Sequence, residues 1–288
     1  MTAHAIGVIG TGAMGMGVVQ SLRRHGVTTC TRDIRDDANA FAASLGARVC
    51  HSPAALAREA STAIILVVDD KQIDAVLFGE DGAANALRPG STVVVSSTVD
   101  PSYVAALGPR LAKQDITLID APVSGGPAKA ADGTMTIIVS GEHDAVRRCV
   151  PTFERIAGRV FVVGDKPGQA ATFKIVNNML AASNLAAGAE AFALAARAGL
   201  DLNAAFDVIN SSSGASWILA DRMPRVLMHD ASVRAATKIL AKDVALAVAL
   251  ADRLASDAPV ARAAHASFAS AIAAGRGEQD DSDLLRPR

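Results

Sequence analysis

Up to residue 164, short β-branched runs alternate with amphipathic stretches, and beyond it the strand signal all but disappears. That change of period constrains the fold more than any other feature of the chain. Runs at 5–9, 27–31, 63–68, 92–96 and 118–120 read as strands, with helices between them at 14–25, 38–45, 53–59 and 101–113. A further pair at 135–139 and 160–163 extends or edges the same sheet. Strands alternating with helices imply a parallel sheet covered on both faces. From residue 169 helical periods dominate to about 274. The first helix, 169–198, would be about 45 Å long at 1.5 Å per residue, and Gly199 supplies its stop signal. The expected architecture is α/β. A doubly wound parallel sheet of the Rossmann type (1–164) is followed by an all-α C-terminal domain (165–288).

Composition narrows the function. The 288 residues suffice for two domains, and with 50% apolar but only 3% aromatic residues the core must be built from Ala, Val, Leu and Ile. A net charge of −1 without a Lys/Arg run disfavours nucleic acid. Cys30, Cys50 and Cys149 form no CxxC pair, which argues against a disulfide framework or zinc site and fits a reducing cytoplasm. His4, His25, His51, His143, His229 and His265 lack H-x-x-x-H spacing, so no metal is expected. The N-terminus has no basic n-region and runs directly into a glycine loop, unlike a signal peptide. The apolar tract 179–198 is interrupted by Ser183, Asn184, Glu190 and Arg197. It reads as too polar for a bilayer and suited to burial between protein surfaces, so a homodimer or homotetramer without a membrane partner is expected.

Gly10-Thr11-Gly12-Ala13-Met14-Gly15 matches G-x-G-x-x-G. The triplet alone is a weak signal, but here it follows a strand and opens a helix. In that context Gly10 permits the tight turn, Gly12 lets a pyrophosphate approach the backbone, and Gly15 lets helix and strand pack closely. The helix N-terminus offers free N–H groups and partial positive charge to the phosphates. Asp33, at the end of the second strand, can accept hydrogen bonds from ribose hydroxyls and would repel a 2′-phosphate, favouring NAD. Arg32 and Arg35 beside it leave NADP possible.

Two other segments carry chemistry. In residues 120–129, Ser124 offers a hydroxyl, and Gly125 and Gly126 offer unobstructed N–H groups that can bind a carboxylate. A tight Gly-Gly-Pro turn without a ligand is the plainer alternative. At 168–178, Lys174 and Asn178 share one helix face four residues apart. The neighbours Phe173, Ile175, Val176, Met179 and Leu180 favour burial of Lys174 over the solvated charge usual for lysine. Burial lowers a lysine pKa, and a lysine tuned toward neutrality can serve as base for oxidation and acid for reduction.

Residues 7–17, 120–126, 168–178 and Lys242-Asp243 together resemble the β-hydroxyacid dehydrogenase family, which includes the 3-hydroxyisobutyrate dehydrogenases. Within it, 77–82, 120–126, Ser216-Trp217 and 280–282 look most like the dehydrogenases of four-carbon sugar acids, whereas 127–129 and 228–237 depart from their pattern. The resemblance implies NAD-dependent hydride transfer from a small hydroxy acid. Lys174 would be the acid/base, Asn178 its assistant, and Ser124, Gly125, Gly126 and Trp217 the substrate contacts. It further implies that Thr98 lies beside the nicotinamide, that Val67 belongs to the coenzyme-binding set and that Lys242 reaches the coenzyme; core packing is the default role of Trp217. A semialdehyde reductase working in the reverse direction would use the same residues. Lys174 argues against an imine reductase, and a cofactor-binding module without chemistry is the remaining alternative.

Overall fold

The computed structural model describes residues 5–287; His4 and the start of the N-terminal segment discussed above lie outside them. The chain divides into two compact units, Met1–Lys174 and Ile175–Arg288.

The first unit is built on nine strands: β1 (Ala5–Ile9), β2 (Thr29–Arg32), β3 (Arg48–Val49), β4 (Ala60–Ile65), β5 (Thr92–Val95), β6 (Thr117–Asp120), β7 (Val123–Ser124), β8 (Met135–Gly141) and β9 (Ala157–Gly164). Their order is β3-β2-β1-β4-β5-β6-β8-β7, with β9 paired to β8. The six strands from β3 to β6 are mutually parallel. β8 runs antiparallel to both β6 and β7, so the expected parallel sheet continues into a mixed edge.

Side-chain alternation explains how the two faces are covered. Ile9, Ile65, Val93, Val95 and Leu118 belong to one apolar cluster with Leu56 of α3 (Pro53–Glu59), Ile73 and Leu77 of α4 (Asp70–Phe78) and Leu107 of α5 (Pro101–Ala112). Their sequence neighbours Val8, Ile64, Val94 and Ile119 belong to another. That second cluster includes Leu22 of α1 (Ala13–Arg24), Ala42 of α2 (Asp36–Ser44), Ala130 of α6 (Gly126–Asp132) and Phe153 of α7 (His143–Ile156). A period of two distributes one strand between both faces, which is the condition for a doubly wound sheet. Local caps start the helices on one face. Ser52 accepts the Ala55 amide, Asp69 that of Gln72, and Asp100 that of Ser102.

α8 (Gln169–Arg197) begins in the first unit and continues in the second. Ala171, Lys174, Asn178, Ala182, Leu185 and Phe192 form its buried stripe at steps of three, four or seven, with Ile175 buried beside it. Phe173, Val176, Leu180 and Leu194 are exposed on the other side. Its length and composition would suffice to cross a membrane, contrary to the sequence expectation of excess polarity. Its buried Lys174 and Asn178 instead belong to a helix that packs within protein.

The second unit is helical: α9 (Leu202–Asn210), α10 (Trp217–Leu227), α11 (Thr237–Arg253), α12 (Pro259–Ala273) and the 3₁₀ turn η1 (Asp281–Leu285) surround Leu185, Phe192, Met223, Val244 and Phe268. The polar segment after α12 is anchored. Asp281 and Ser282 are buried, and the Arg222 Nε and Nη2 donate to Asp281 at 2.6 and 3.1 Å.

Candidate active site

The residues singled out around the coenzyme motif in the first unit follow carboxyl ends of strands. Gly10 follows β1, Asp33 follows β2, Val67 follows β4, and Thr98 follows β5. In an open α/β sheet this edge is where ligands bind, at the point where strand order reverses; here that point lies between β1 and β4.

The glycine loop has the dimensions a dinucleotide needs. Gly10 takes φ +88°, and a Cβ there would lie 2.5 Å from the Leu66 carbonyl oxygen. A Cβ on Gly15 would sit 2.0 Å from the Gly10 oxygen, so α1 can approach β1 this closely only without a side chain. A Cβ on Gly12 would meet nothing within 4 Å, leaving the backbone open to a ligand. Gly12 caps α1 without a side chain and no acidic residue occupies the first turn, so the dipole stays available to an anion. Thr11, Ala13 and Met14 complete this cradle, which fits the pyrophosphate of a nicotinamide dinucleotide.

Asp33 is more constrained than the sequence indicates. Its Oδ2 accepts from the Thr11 amide at 2.7 Å and the Thr11 hydroxyl at 3.3 Å. Its Oδ1 accepts from the Arg35 amide at 3.0 Å and Nε at 3.2 Å. Burial alone would raise its pKa, but the Arg35 and Thr11 donors hold it below the ordinary carboxylate value. Asp33 therefore clamps the glycine loop to the end of β2. A ribose hydroxyl must share or replace one of these donors, and the half-exposed Arg35 is the one that can swing away. Asp33→Ala is expected to weaken NAD binding by about tenfold, a loss of about 1.4 kcal/mol, and to weaken NADP binding less. Fluorescence titration with both reduced coenzymes checks this; equal losses would leave Asp33 only its clamping role.

Beside the loop, the Val67 amide donates to Ser97 Oγ at 3.0 Å, fixing the turn after β4. Ser97 was not singled out by sequence, because a serine in a Ser-Ser-Thr run carries no distinguishing local signal. Thr98 is half-buried in the turn after β5.

Farther along the sheet, Ser124 ends β7, half-buried and paired with Thr136. Gly125 and Gly126 take φ +128° and +81°, two successive positions that side chains resist. A Cβ on Gly126 would meet nothing within 4 Å. The loop therefore exposes backbone N–H groups where a carboxylate can approach.

On α8, Lys174 and Asn178 are both 7% exposed and lie one turn apart. Within the second unit, Asn178 Nδ2 donates to Asp243 Oδ2 at 2.7 Å and Lys242 Nζ to Asp243 Oδ1 at 2.8 Å. Asn178 Oδ1 accepts from Asn177 Nδ2 at 3.1 Å. Because a carboxylate only accepts, Asp243 fixes which end of the Asn178 amide faces it. Asp243 is buried and joins two residues singled out from the sequence, Asn178 and Lys242. Trp217, first residue of α10, is half exposed rather than a core side chain. Among the described residues no group of three or more His, Cys, Asp or Glu could hold a metal.

The sheet and its glycine cradle define a dinucleotide-binding oxidoreductase. Residues 5–164 match the NAD-binding domain of 6-phosphogluconate dehydrogenase, and residues 168–288 the NAD-binding domain of NADP-dependent 3-hydroxyisobutyrate dehydrogenase. An L-threonate dehydrogenase of Cupriavidus necator is 42% identical over 98% of this chain and 95% of its own length. That of Escherichia coli K12 is 40% identical over 98% and 93%. A crystal structure of 3-hydroxyisobutyrate dehydrogenase from Salmonella typhimurium superposes with a TM-score of 0.92 at 38% identity, covering 98% of this chain and 99% of that one. The chain belongs to the 3-hydroxyisobutyrate dehydrogenase family of nicotinamide-dependent hydroxy-acid dehydrogenases.

Proposed function

We propose that this dehydrogenase oxidises a secondary hydroxyl of a small sugar acid of the L-threonate class, with Lys174 as general base and NAD as the preferred coenzyme. The observation that carries this reading is the burial of Lys174, one helical turn from an Asn178 whose amide is held by Asp243. The names of the relatives at 40–42% identity support the substrate class.

The coenzyme, when bound, supplies the hydride acceptor. The chain supplies everything else. Residues 10–15 hold the pyrophosphate, and Val67 and Thr98 line the nicotinamide side. Ser124 and the amides of Gly125 and Gly126 take the substrate carboxylate. Lys174 Nζ takes the hydroxyl proton as the C–H bond breaks, and returns it when the reaction runs toward the hydroxy acid. Asn178 orients the reacting hydroxyl. Lys242 and Trp217 keep the coenzyme and substrate contacts that the family pattern implies. We place the functional boundary ahead of α8, at residues 164–168, and the protein in the cytoplasm.

Purified protein assayed at 340 nm against L-threonate, erythronate, glycerate and 3-hydroxyisobutyrate, each with NAD and NADP, tests the proposal. It requires the highest kcat/KM with a four-carbon sugar acid and NAD. A preference for 3-hydroxyisobutyrate would overturn the substrate class.

The exposed stripe of Phe173, Val176, Leu180 and Leu194 on α8 supports a homodimer or homotetramer. An apolar patch of this kind on a helix favours association with a second copy. Light scattering at micromolar concentration should give at least twice the chain mass of 29.4 kDa, and a monomer would contradict the assignment.

A further inference from the structure

Asp120, the last residue of β6, is 1% exposed and spends one oxygen on three donors. Its Oδ2 accepts from the Gly168 amide at 2.8 Å, the Ala171 amide at 2.9 Å and the Ser140 hydroxyl at 3.3 Å. Ser140 Oγ in turn accepts from the Ala170 amide at 2.9 Å. The first-turn N–H groups of a helix lack intrahelical partners. At α8 they are taken by side chains of β6 and β8, from residues 30 to 51 positions away. Gly168, at φ +99°, fixes the entry, since a Cβ there would lie 2.7 Å from the Pro101 carbonyl oxygen. Three residues after Ala171 comes Lys174, and four residues after Asp120 comes Ser124.

We infer that Asp120 is a positioning residue, whose Oδ2 holds the Lys174 turn of α8 in register with the carboxylate-binding loop of Ser124, Gly125 and Gly126. The inference rests on the reading of Lys174 as the acid/base. It adds the element that joins the two halves of the substrate site within the first unit.

A cap evolved for stability alone would look different. Ser52, Asp69 and Asp100 cap their own helices from two or three residues away, as local caps do. Asp120 is a long-range cap, and its Oδ1 has no hydrogen-bond partner although it is buried. Burial pushes this carboxyl up to about 6, against the pull of the Ala171, Gly168 and Ser140 donors. Its folded pKa thus exceeds the ordinary carboxylate value. The linked stability is greatest below about pH 4 and is lost as pH rises through about 6. At neutral pH burial of the charge therefore works against stability. The titratable side chains borne by the segments that meet it are Glu142 after β8, Asp165 and Lys166 ahead of α8, and Lys174 within it.

Asp120→Ala removes the oxygen that takes the Gly168 and Ala171 amides, and Ser140→Ala removes one donor to the carboxylate together with the acceptor of the Ala170 amide. For Asp120→Ala we expect kcat with the hydroxy acid to fall about ten- to hundredfold, the scale of a small misplacement of a catalytic group. NADH affinity should be unchanged, and amide hydrogen exchange should accelerate at 168–174 but not at 10–24. Ser140→Ala should lower kcat less and, in the reducing direction, where Lys174 starts protonated, move the acid limb of the kcat–pH profile upward, because a hydrogen bond favouring the carboxylate is lost. Faster exchange at 168–174 with wild-type kcat would reduce Asp120 to a helix cap and overturn the inference. If Asp120→Ala fails to fold, an unshifted acid limb and wild-type kcat in Ser140→Ala would overturn it as well. Wild-type turnover in Lys174→Ala would instead strike the acid/base reading beneath it.

Discussion

Replacing Lys174 by Ala is expected to lower kcat about 10²- to 10⁴-fold, the range a positioned general base contributes. NADH binding should stay near the wild-type value, because the residues assigned to the pyrophosphate lie on the loop between β1 and α1. Small external amines should restore part of the activity if the missing group is a proton acceptor. The variant should remain folded: Lys174 is buried, but its backbone stays helical with Ala, the best helix former. Steady-state kinetics with coenzyme titration separates these effects. A fall in NADH affinity without a fall in kcat would make Lys174 a coenzyme ligand instead of the base.

The second large effect concerns stability. Arg222→Met should destabilise the helical unit by about 3–5 kcal/mol, the cost of leaving a buried charge unpaired. Asp281 is 2% exposed and takes both Nε and Nη2 of Arg222. Burial already raises the Asp281 pKa in spite of that guanidinium. Losing Arg222 raises it further, so the folded carboxyl binds a proton more readily than the unfolded one. The deficit should therefore be smallest in acid and grow as pH rises toward neutrality. Chemical denaturation at pH 5 and pH 7.5 tests the sign. Arg222→Met combined with Asp281→Leu should recover much of the loss, because an apolar pair of similar volume is often as stable as a buried ion pair. Equal destabilisation by the single and double variants would mean that packing, not charge, sets the cost.

What the sequence revealed follows from the range of the interactions involved. β1 and β5 are short runs of apolar and β-branched residues bounded by turn residues, and their positions were legible to within a residue. Strand direction is not encoded in such runs, so the antiparallel β8 emerged only from its pairing with β6. α7 was missed because Arg147, Arg148, Glu154 and Arg155 separate its apolar positions and Pro151 reads as a breaker. Its buried side, Ala145, Val146, Cys149, Phe153 and Ile156, follows the helical period once the fold supplies a partner. α4 opens with Asp70, Lys71 and Gln72 and begins its apolar face only at Ile73, so it resembled a loop.

The site shows the same division. Lys174 and Asn178 were legible as a pair because four residues of helix set their geometry. The glycine loop was legible because a Cβ at Gly15 would meet the Gly10 oxygen a few residues away. Asp33 was read as a ribose acceptor, yet Thr11, 22 residues earlier, already occupies one of its oxygens. Asp243 sits 65 residues from the Asn178 it orients. Asp120 sits 48 and 51 residues from the amides it holds. No local spacing announces such partners; the tertiary fold must form before they meet.

The most direct measurement is a crystal structure of the protein with NADH and a four-carbon sugar acid. We predict Lys174 Nζ within about 2.6–3.2 Å of the hydroxyl on the carbon that faces the nicotinamide, with the substrate carboxylate on Ser124 and the amides of Gly125 and Gly126. A substrate whose reacting hydroxyl lies beyond hydrogen-bond reach of Lys174, on another side chain, would contradict the account.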